Sequence, residues 1–312
     1  MTIINEKPEL SVVIPLYNEQ DNVAAMSGRL IENLEALQIK YEVIFIDDGS
    51  RDATWDHVCK ESSKNSHIKA IRFSRNFGHQ RAIYAGLKHA EGEAVISMDG
   101  DLQHPPELIH ALYKKWKDGY NIVNTVRRDK AVSGSLKRVS SKLYYKIFSL
   151  LSSVEIEEGS SDFRLIDRQV LKELLSFGES DIFLRGAIQW VGFNVATIEY
   201  DLAERHSGKT KFTFSKMMQL ASSGIVSYST LPLKIGVWIG MITGIIAFFE
   251  LGYIFFVYLK GETVPGWAST LGVMSLLFGI LFFVIGLMGI YIGRIHNSLQ
   301  QKPTYIIKDK IN

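Results

Sequence analysis

The sequence predicts an α/β domain with a mainly parallel sheet, followed by a two-helix transmembrane hairpin. Short apolar runs alternate with helical patterns in the first part of the chain, and polar clusters follow these runs. Two long apolar segments come near the end. Strands that alternate with helices favour a parallel sheet covered on both faces. The apolar segments each exceed the roughly 20 residues that cross a bilayer.

Length, charge and cysteine content restrict the possible classes of protein. The 312 residues accommodate one large domain or two smaller ones, and a net charge of +2 gives no indication of nucleic-acid binding. The single cysteine, Cys59, excludes an internal disulfide. The N-terminus lacks the profile of a signal peptide, so we expect the first domain to stay in the cytoplasm.

Five strands are predicted, and each ends in polar residues. They span residues 10–16, 41–46, 68–73, 94–98 and 121–126. Helices are expected up to residue 37, over residues 80–89, and after Pro105 and Pro106, because proline is tolerated in a first helical turn. Ligands of such sheets bind outside the carboxyl ends of the strands. The polar clusters are therefore expected to form one site.

The later part of the chain predicts a membrane anchor. Residues 212–233 carry a methionine- and aromatic-rich stripe, which favours a helix in the membrane interface, although a core-facing helix fits as well. The spans are residues 235–259 and 268–292, within a hairpin region of 234–293. Basic residues flank the hairpin on both sides, which predicts cytoplasmic flanks. We thus expect a multi-pass protein of the cell (inner or plasma) membrane, with a cytoplasmic domain over 1–211 and a cytoplasmic tail over 294–312.

Both spans contain features that bear on association. Glycines recur at every fourth residue, at Gly236, Gly240 and Gly244 and at Gly289 and Gly293. Such faces let helices approach closely, either within the hairpin or between subunits of a homo-oligomer. Glu250 is a lone carboxylate in the first span, so we expect it to face a partner, water or another subunit, or to be protonated.

Asp99 and Asp101 follow the fourth predicted strand, one residue apart. Two carboxylates at a strand end can hold a hard divalent cation, and Mg²⁺ or Mn²⁺ there also binds diphosphate oxygens. Such a cation neutralises charge on a leaving nucleoside diphosphate. Gln103 is a candidate third ligand or a support for one. Capping of the helix that follows is the alternative role of the pair.

Two other clusters suit a nucleotide less specifically. A carboxylate of Asp47-Asp48-Gly49-Ser50 can accept hydrogen bonds from a base or from ribose hydroxyls, although this segment alone is also an ordinary turn. The segment Pro15-Leu16-Tyr17-Asn18-Glu19 is weakly informative alone. Gly-x-Gly-x-x-Gly and Walker-type motifs are absent from the sequence, which disfavours dehydrogenases and P-loop proteins.

Together these motifs resemble those of the family-2 glycosyltransferases. The resemblance is carried by Val13-Ile14-Pro15-Leu16-Tyr17-Asn18-Glu19, Asp47-Asp48-Gly49-Ser50, Ser74-Arg75-Asn76-Phe77-Gly78, Asp99-Gly100-Asp101-Leu102-Gln103 and Asp162-Phe163-Arg164-Leu165. More closely, the chain looks like the polyisoprenyl-phosphate glycosyltransferases, namely bactoprenol glucosyltransferases and dolichyl-phosphate mannose synthases. The similarity covers nearly the whole chain, including the hairpin. It implies a GT-A fold, a nucleotide-sugar donor and a divalent metal.

The resemblance also implies roles for individual residues. Nucleotide-sugar contacts are expected at Pro15, Tyr17, Asn18, Glu19, Asp47, Asp48, Ser50, Arg75, Asn76, Asp99 and Gly100. Metal ligands are expected at Asp99, Asp101 and Gln103, and catalytic roles at Asp162 and Asp101. Two departures from the pattern are His104, where many relatives have an acidic residue, and Ser160-Ser161, where relatives often carry Asn-x-Gly. Both departures are expected to affect the sugar pocket.

The implied reaction transfers a sugar, with glucose favoured, from a nucleotide sugar to polyprenyl phosphate with inversion. A phosphate with a second pKa of ~6 is largely ionised at neutral pH. We therefore expect Asp162 to orient the acceptor or the sugar more than to remove a proton. Guanidinium and ammonium groups suit phosphate oxygens. The candidates for the acceptor phosphate are Arg127, Arg128, Arg138, Arg205, Lys209 and Lys211.

Other functions and donors stay open at this point. A processive polysaccharide synthase usually carries Gln-x-x-Arg-Trp and more membrane helices, and Gln189-Trp190 does not match that motif. A non-catalytic membrane scaffold is disfavoured by the intact Asp99, Asp101 and Asp162. UDP-glucose is the favoured donor, with GDP-mannose, UDP-galactose and UDP-N-acetylglucosamine as alternatives.

Overall fold

A computed structural model describes residues 7–127, 160–177, 184–201, 231–261, 266–300 and 302–312. The chain divides into an α/β unit, which includes residues 302–312, and a helical unit that contains residues 219–301. Five of the predicted acceptor cations lie outside the described residues, namely Arg128, Arg138, Arg205, Lys209 and Lys211. Residues 212–230 of the predicted interfacial helix also lie outside them.

The α/β unit alternates strands and helices in its first half, as predicted. Its strands are β1 (Leu10–Leu16), β2 (Tyr41–Asp47), β3 (Ile68–Phe73), β4 (Ala94–Ser97), β5 (Ile122–Arg127), β6 (Ser160–Asp167), β7 (Val195–Tyr200) and β8 (Ile307–Ile311). Its helices are α1 (Val23–Ala36), α2 (Thr54–Lys64), α3 (His79–His89), α4 (Ile109–Lys117), α5 (Arg168–Ser176) and α6 (Leu184–Trp190). A 3-10 turn over Pro106–Leu108 precedes α4. The five predicted strands are confirmed to within one residue at each end.

All eight strands form one sheet in the order β7-β5-β6-β4-β1-β2-β3-β8. The first four strands are parallel, and β5 pairs in parallel with β7. β6 lies antiparallel between β4 and β5, so β5 runs in the same direction as the first four strands. The carboxyl ends of β1 to β5 and the beginning of β6 therefore meet at one edge of the sheet. The predicted mainly parallel sheet is confirmed.

The sheet has an apolar layer on each face, because its central strands are buried on both sides. Val12 and Ile14 of β1 belong to the layer that contains α1, and Val13 belongs to the layer that contains α3. Gly86 of α3 lies so close to Val13 that a Cβ atom there would overlap its side chain. This close approach fixes α3 against the centre of the sheet and brings the beginning of α3 to the edge with the polar clusters.

Strand β8 differs from the predicted cytoplasmic tail. Residues 307–311 pair antiparallel with β3, and the N–H of Ser74 donates to the carbonyl of Ile306 at 2.9 Å. Tyr305 stacks on Phe73 with ring centroids 4.9 Å apart. Residues 302–312 are therefore part of the α/β unit. The reason is that the edge of β3 offers unpaired backbone groups, which a strand can satisfy even when three charged residues lie between its two terminal isoleucines.

The helical unit contains two long apolar helices, α7 (Leu231–Leu259) and α8 (Trp267–Leu299). Within them, residues 233–257 and 272–293 are long and apolar enough to cross a membrane, judged by length and composition. These helices agree with the predicted hairpin.

The glycines of the hairpin do not all face the other helix. A Cβ atom at Gly236 would be 3.7 Å from Val284 and 3.8 Å from Leu287, so this glycine lies where α7 and α8 pack together. At Gly240, Gly244, Gly289 and Gly293, a Cβ atom would meet nothing within 4 Å among the described residues. Glu250 is half-buried. Packing of the hairpin on itself thus accounts for one of the predicted glycine positions.

Candidate active site

Two loops at the carboxyl ends of β1 and β2 are joined by hydrogen bonds. The N–H of Asn18 donates to Ser50 Oγ, and Asn18 Oδ1 accepts from the N–H of Arg51, both at 2.9 Å. Glu19 also donates its N–H to Thr54 Oγ1 at 2.9 Å. Asn18 has a φ of +52°, which asparagine adopts more readily than most residues. The polar atoms of Asn18 and Ser50 thus build one wall of the site.

The two adjacent carboxylates at the end of β2 are buried and have different partners. Asp47 Oδ1 accepts from the N–H of Ser50 at 2.9 Å, and Asp47 Oδ2 lies 3.3 Å from Arg72 Nε. Asp48 accepts from the N–H groups of Phe77 (2.7 Å) and Gly78 (2.9 Å). Burial raises the pKa of both carboxyl groups more than these partners lower it. Asp48 therefore anchors the start of α3, while Asp47 is better placed for a base or ribose.

Gly49 lies where the loop after β2 passes the backbone of Arg75. Its φ is +66°, and a Cβ atom would be 2.7 Å from Arg75 Cα. We expect Gly49→Ala to lower the free energy of unfolding by about 2 kcal/mol, because both the positive φ and the overlap penalise a side chain. Donor affinity should fall as well, because the loop that carries Asp47 must move.

Chemical denaturation and calorimetric titration with UDP measure these two effects. Gly28→Ala is the matched control, because Gly28 lies within α1 with no neighbour within 4 Å of the added Cβ atom. Alanine there should be neutral or stabilising. Equal stability of Gly49→Ala and the parent protein would contradict the strain at Gly49.

The remaining predicted contacts lie at the same edge of the sheet. Pro15 is buried within β1, and Tyr17 and Glu19 are half-buried at its end. Arg75 and Asn76 are exposed, with the Arg75 guanidinium 4.2 Å from the ring centroid of Phe77. The last residue of β5, Arg127, is exposed and is the one predicted acceptor cation within the described ranges.

Asp99 and Asp101 are presented by a tight turn after β4. Gly100 lies against Leu16 of β1, where a larger residue would overlap the leucine side chain. Asp101 Oδ1 accepts from the N–H of Gln103 at 3.1 Å, which closes the turn. Asp99 Oδ1 is buried and accepts no hydrogen bond within the described part of the chain.

This donor set fits a divalent cation. Two carboxylates are the hard ligands that Mg²⁺ and Mn²⁺ prefer. Asp99 Oδ1 makes no hydrogen bond among the described residues, and His79 Nε2 lies 3.3 Å from it. Among the described residues, no group of three or more His, Cys, Asp or Glu side chains could hold a metal. Mg²⁺ is commonly bound by one or two carboxylates together with substrate phosphates and water, so the pair is sufficient. Gln103 is half-buried beside it.

Asp162 lies near the start of β6, across from the end of β4. Arg185 of α6 binds its carboxylate with two hydrogen bonds, Nε to Oδ1 at 2.8 Å and Nη2 to Oδ2 at 2.9 Å. Gln80 Nε2 donates to Oδ2 at 3.1 Å, and Arg164 Nη2 lies 3.7 Å from Oδ1. Burial raises the pKa of Asp162, but the two arginines and the hydrogen bonds outweigh it and hold this pKa well below the usual range. The carboxylate is therefore ionised at every physiological pH.

His79, at the start of α3, lies between the two sets of carboxylates. Its Nε2 is 3.3 Å from Asp99 Oδ1 and 3.4 Å from Asp162 Oδ2. Burial lowers the pKa of His79, but the carboxylates of Asp162 and Asp99 raise it by more. The pKa of His79 is therefore about 9. The sequence motifs predict no role for His79, Gln80 or Arg185. The available signal was the position of His79 and Gln80 directly after the Ser74–Gly78 motif.

Comparison with known proteins places the chain in a family. Residues 11–175, just over half of the chain, match the model of glycosyl transferase family 2. An uncharacterised glycosyltransferase of Synechocystis is 38% identical over 96% of this chain and 95% of its own length. A prophage bactoprenol glucosyl transferase homologue of Escherichia coli is 37% identical over 96% of this chain and 98% of its own length. A bactoprenol glucosyl transferase of Shigella phage SfV is 36% identical over 97% of this chain and 99% of its own length.

These matches confirm the resemblance to the polyisoprenyl-phosphate glycosyltransferases and the GT-A fold class that it implies. They extend along nearly the whole chain, so they include the apolar helices as well as the sheet. The edge that carries Asp47, Asp99, Asp101 and Asp162 lies mostly within the matched residues 11–175. This chain belongs to glycosyltransferase family 2.

Proposed function

We propose that this protein transfers a hexosyl group, with glucose favoured, from a nucleotide sugar to polyprenyl phosphate. A phosphate oxygen of the lipid forms a bond to the anomeric carbon, which inverts. The bond from that carbon to the nucleoside diphosphate breaks, and the diphosphate leaves with the electron pair. UDP-glucose is the favoured donor, because relatives along the whole chain are named bactoprenol glucosyl transferases.

The observation that carries this proposal is the state of Asp162. A general base works best with a pKa near the operating pH, whereas the pKa of Asp162 is held far below it by Arg185. Such a carboxylate suits an acceptor that has no proton to remove. A lipid phosphate meets this condition, because its second pKa is ~6. A sugar hydroxyl, the acceptor of a polysaccharide synthase, does not.

The other residues have complementary roles in this proposal. Asp99 and Asp101, with Gln103 beside them, would hold Mg²⁺ or Mn²⁺, which would neutralise charge on the leaving diphosphate. Asp47 accepts hydrogen bonds from the base or ribose. Asp162 orients the acceptor or the sugar, and Arg127 contributes to the attraction of the acceptor phosphate.

The course of the chain supports a hairpin with both ends on one side of the membrane. Residues 302–312 belong to the same compact unit as the first seven strands, although α7 and α8 lie between them in the sequence. A single folded unit occupies one side of a bilayer, so the chain crosses an even number of times. Basic residues at the flanks favour the cytoplasmic side. The open glycine faces of α7 and α8 offer a contact for a homo-oligomer.

The two alternative functions are less well supported. A processive synthase usually has more membrane helices, and the described residues include two that are long and apolar enough. A non-catalytic scaffold has no need of Asp99, Asp101 and Asp162 as three carboxylates at one edge of the sheet.

Membranes that contain the protein test the proposal directly. They are incubated with polyprenyl phosphate, Mg²⁺ or Mn²⁺, and each of four donors: UDP-glucose, GDP-mannose, UDP-galactose and UDP-N-acetylglucosamine. We expect a lipid-linked sugar that extracts into organic solvent, with UDP-glucose as the best donor, and none when a chelator removes the metal. Polyprenol is the matched acceptor control, because it lacks the phosphate. Absence of product with every donor would refute the reaction, and equal transfer to polyprenol would refute the role given to Asp162.

A further inference from the structure

His104 contacts both sides of the site through its two ring nitrogens. It is 4% exposed and lies in the turn that follows Asp101. Its Nδ1 accepts a hydrogen bond from the backbone N–H of Asp99 at 2.9 Å, and its Nε2 lies 2.8 Å from Ser161 Oγ. A ring nitrogen that accepts a hydrogen bond from an N–H group carries no proton itself. The neutral ring therefore carries its proton on Nε2 and donates it to Ser161.

Neighbouring aromatic rings and a backbone contact fix this arrangement. His104 stacks on Phe163 with centroids 5.2 Å apart, and the edge of Tyr200 is directed at it with centroids 6.0 Å apart. Ser161 Oγ also accepts from the N–H of Phe163 at 3.1 Å. The imidazole is thus held at both nitrogens and on one face, and Ser161 is held to the backbone of β6.

We propose that His104 and Ser161 form a positioning pair that sets the separation of Asp99 from Asp162. Asp99 is held through its own N–H, and Asp162 lies between Ser161 and Phe163, both of which contact His104. His104 Nε2 is 3.6 Å from Asp99 Oδ2, beyond hydrogen-bond distance, so His104 holds Asp99 through its backbone N–H rather than through its carboxylate. This inference rests on the part of the proposed function that makes Asp99 a metal ligand.

The pair is formed by residues that are far apart in the sequence. His104 and Ser161 are separated by 57 positions, and the structure brings them into direct contact at 2.8 Å. Both lie at positions where the resemblance implies a departure from the family pattern.

Variants at His104 separate its two contacts. In His104→Asn, the amide oxygen lies near the former Nδ1 and still accepts from Asp99. In His104→Gln, the amide nitrogen lies near the former Nε2 and keeps only the contact with Ser161. Residues that orient a metal ligand typically change metal affinity 10–100-fold. We expect Mn²⁺ binding to be about tenfold weaker in His104→Gln, which loses the contact with Asp99. His104→Asn keeps that contact and loses only the one with Ser161, so it should bind Mn²⁺ only slightly more weakly than the parent.

Mn²⁺ binding is measured on the full-length protein in detergent by the electron paramagnetic resonance signal of free Mn²⁺, so no turnover is required. Ser161→Ala should weaken binding in the same direction but less, because the ring keeps its contact with Asp99. Combined with His104→Asn, it should add no further loss, because that contact is already absent. If His104→Gln does not fold, the Mn²⁺ affinity of Ser161→Ala tests the positioning pair instead.

Thr125→Val is the matched control for lost stability. Thr125 Oγ1 donates to the carbonyl of Phe163 at 2.7 Å, so the variant loses another buried hydrogen bond to β6 without touching Asp99. Its melting temperature should fall while Mn²⁺ affinity stays unchanged. Mn²⁺ binding by His104→Gln at the parent affinity, or an equal loss in Thr125→Val, would overturn the positioning role. If the Mn²⁺ results hold but no lipid-linked sugar forms with any donor, the proposed reaction fails and the positioning pair stands.

Discussion

Asp162→Asn is expected to lower the transfer rate by about 10²–10³-fold, without the steep recovery at high pH that loss of a general base would cause. The rate falls because asparagine keeps the size of the side chain but loses the charge that orients the reacting groups. No such recovery is expected because Arg185 holds the pKa of Asp162 well below its usual range, so this carboxylate is a poor proton acceptor. Initial rates of the parent and the variant between pH 6 and pH 9 measure both effects.

The sign of the pH effect on stability follows from the same shift. A carboxyl group whose pKa is lowered on folding stabilises the protein above its unfolded pKa of about 3.9. That contribution is lost only as the pH falls below this value toward the folded pKa. Between pH 6 and pH 9 this contribution is constant, so the ionisation of Asp162 itself adds no slope to stability or rate. The variant also removes a carboxylate that raises the pKa of His79 to about 9, so the titration of His79 is expected to move to lower pH. A variant whose activity recovers steeply as the pH rises would contradict this account.

Loss of fold must be separated from loss of chemistry, because Asp162→Asn leaves Arg185 and Arg164 without their counter-charge. Removing one partner of a buried ion pair costs about 3–5 kcal/mol. The double variant Asp162→Asn/Arg185→Leu removes one charge of each sign, so it should regain part of the stability. If activity stays low in the double variant while the melting temperature recovers, the loss is chemical.

Asp99→Asn and Asp101→Asn form the second prediction, with a loss of activity of about 10²-fold or more. A bound cation contributes several kcal/mol to a charged transition state, and each 1.36 kcal/mol is a factor of about ten in rate. UDP binding should also lose most of its dependence on Mn²⁺. Rates at increasing Mn²⁺ and calorimetric UDP titrations with and without metal measure these changes. Asp118→Asn is the control, because this exposed carboxylate lies at the end of α4. An unchanged Mn²⁺ response in both variants would remove the pair from the metal site.

The sequence predicts those strands that can be recognised from their own residues, without knowledge of the strands they pair with. β1 and β2 are buried along their whole length, so they appear as continuous apolar runs. β6 begins with Ser160, Ser161 and Asp162, and its pairing with β4 and β5 depends on contacts between distant parts of the chain. β8 has three consecutive charged residues between two isoleucines, and it lies at an edge, where charged side chains can face solvent and no apolar run is required.

The residues of the site also fall into two groups: those that a local motif predicts and those that only the folded chain brings together. Asp47, Asp99 and Asp101 are recognisable because each follows a strand within a short motif. The partner of Asp162 is Arg185, 23 residues later on a separate helix, and no spacing rule connects them. His104 and Ser161 are likewise brought together only by the sheet. Of the predicted acceptor cations, Arg127 lies at the expected edge, and its role stays a prediction.

Strand β8 has a consequence for the order in which the protein is made. It is synthesised after both apolar helices, and until then the edge of β3 carries unpaired N–H and C=O groups that can pair with another chain. If α7 and α8 span the membrane, this edge closes only when the chain has crossed back. The sheet is then complete only in copies in which both apolar helices have crossed the membrane. Copies in which only one of the two helices crosses would leave β8 on the other side of the membrane from β3 and keep an open edge, which exposes them to aggregation and to proteases that remove unfinished proteins.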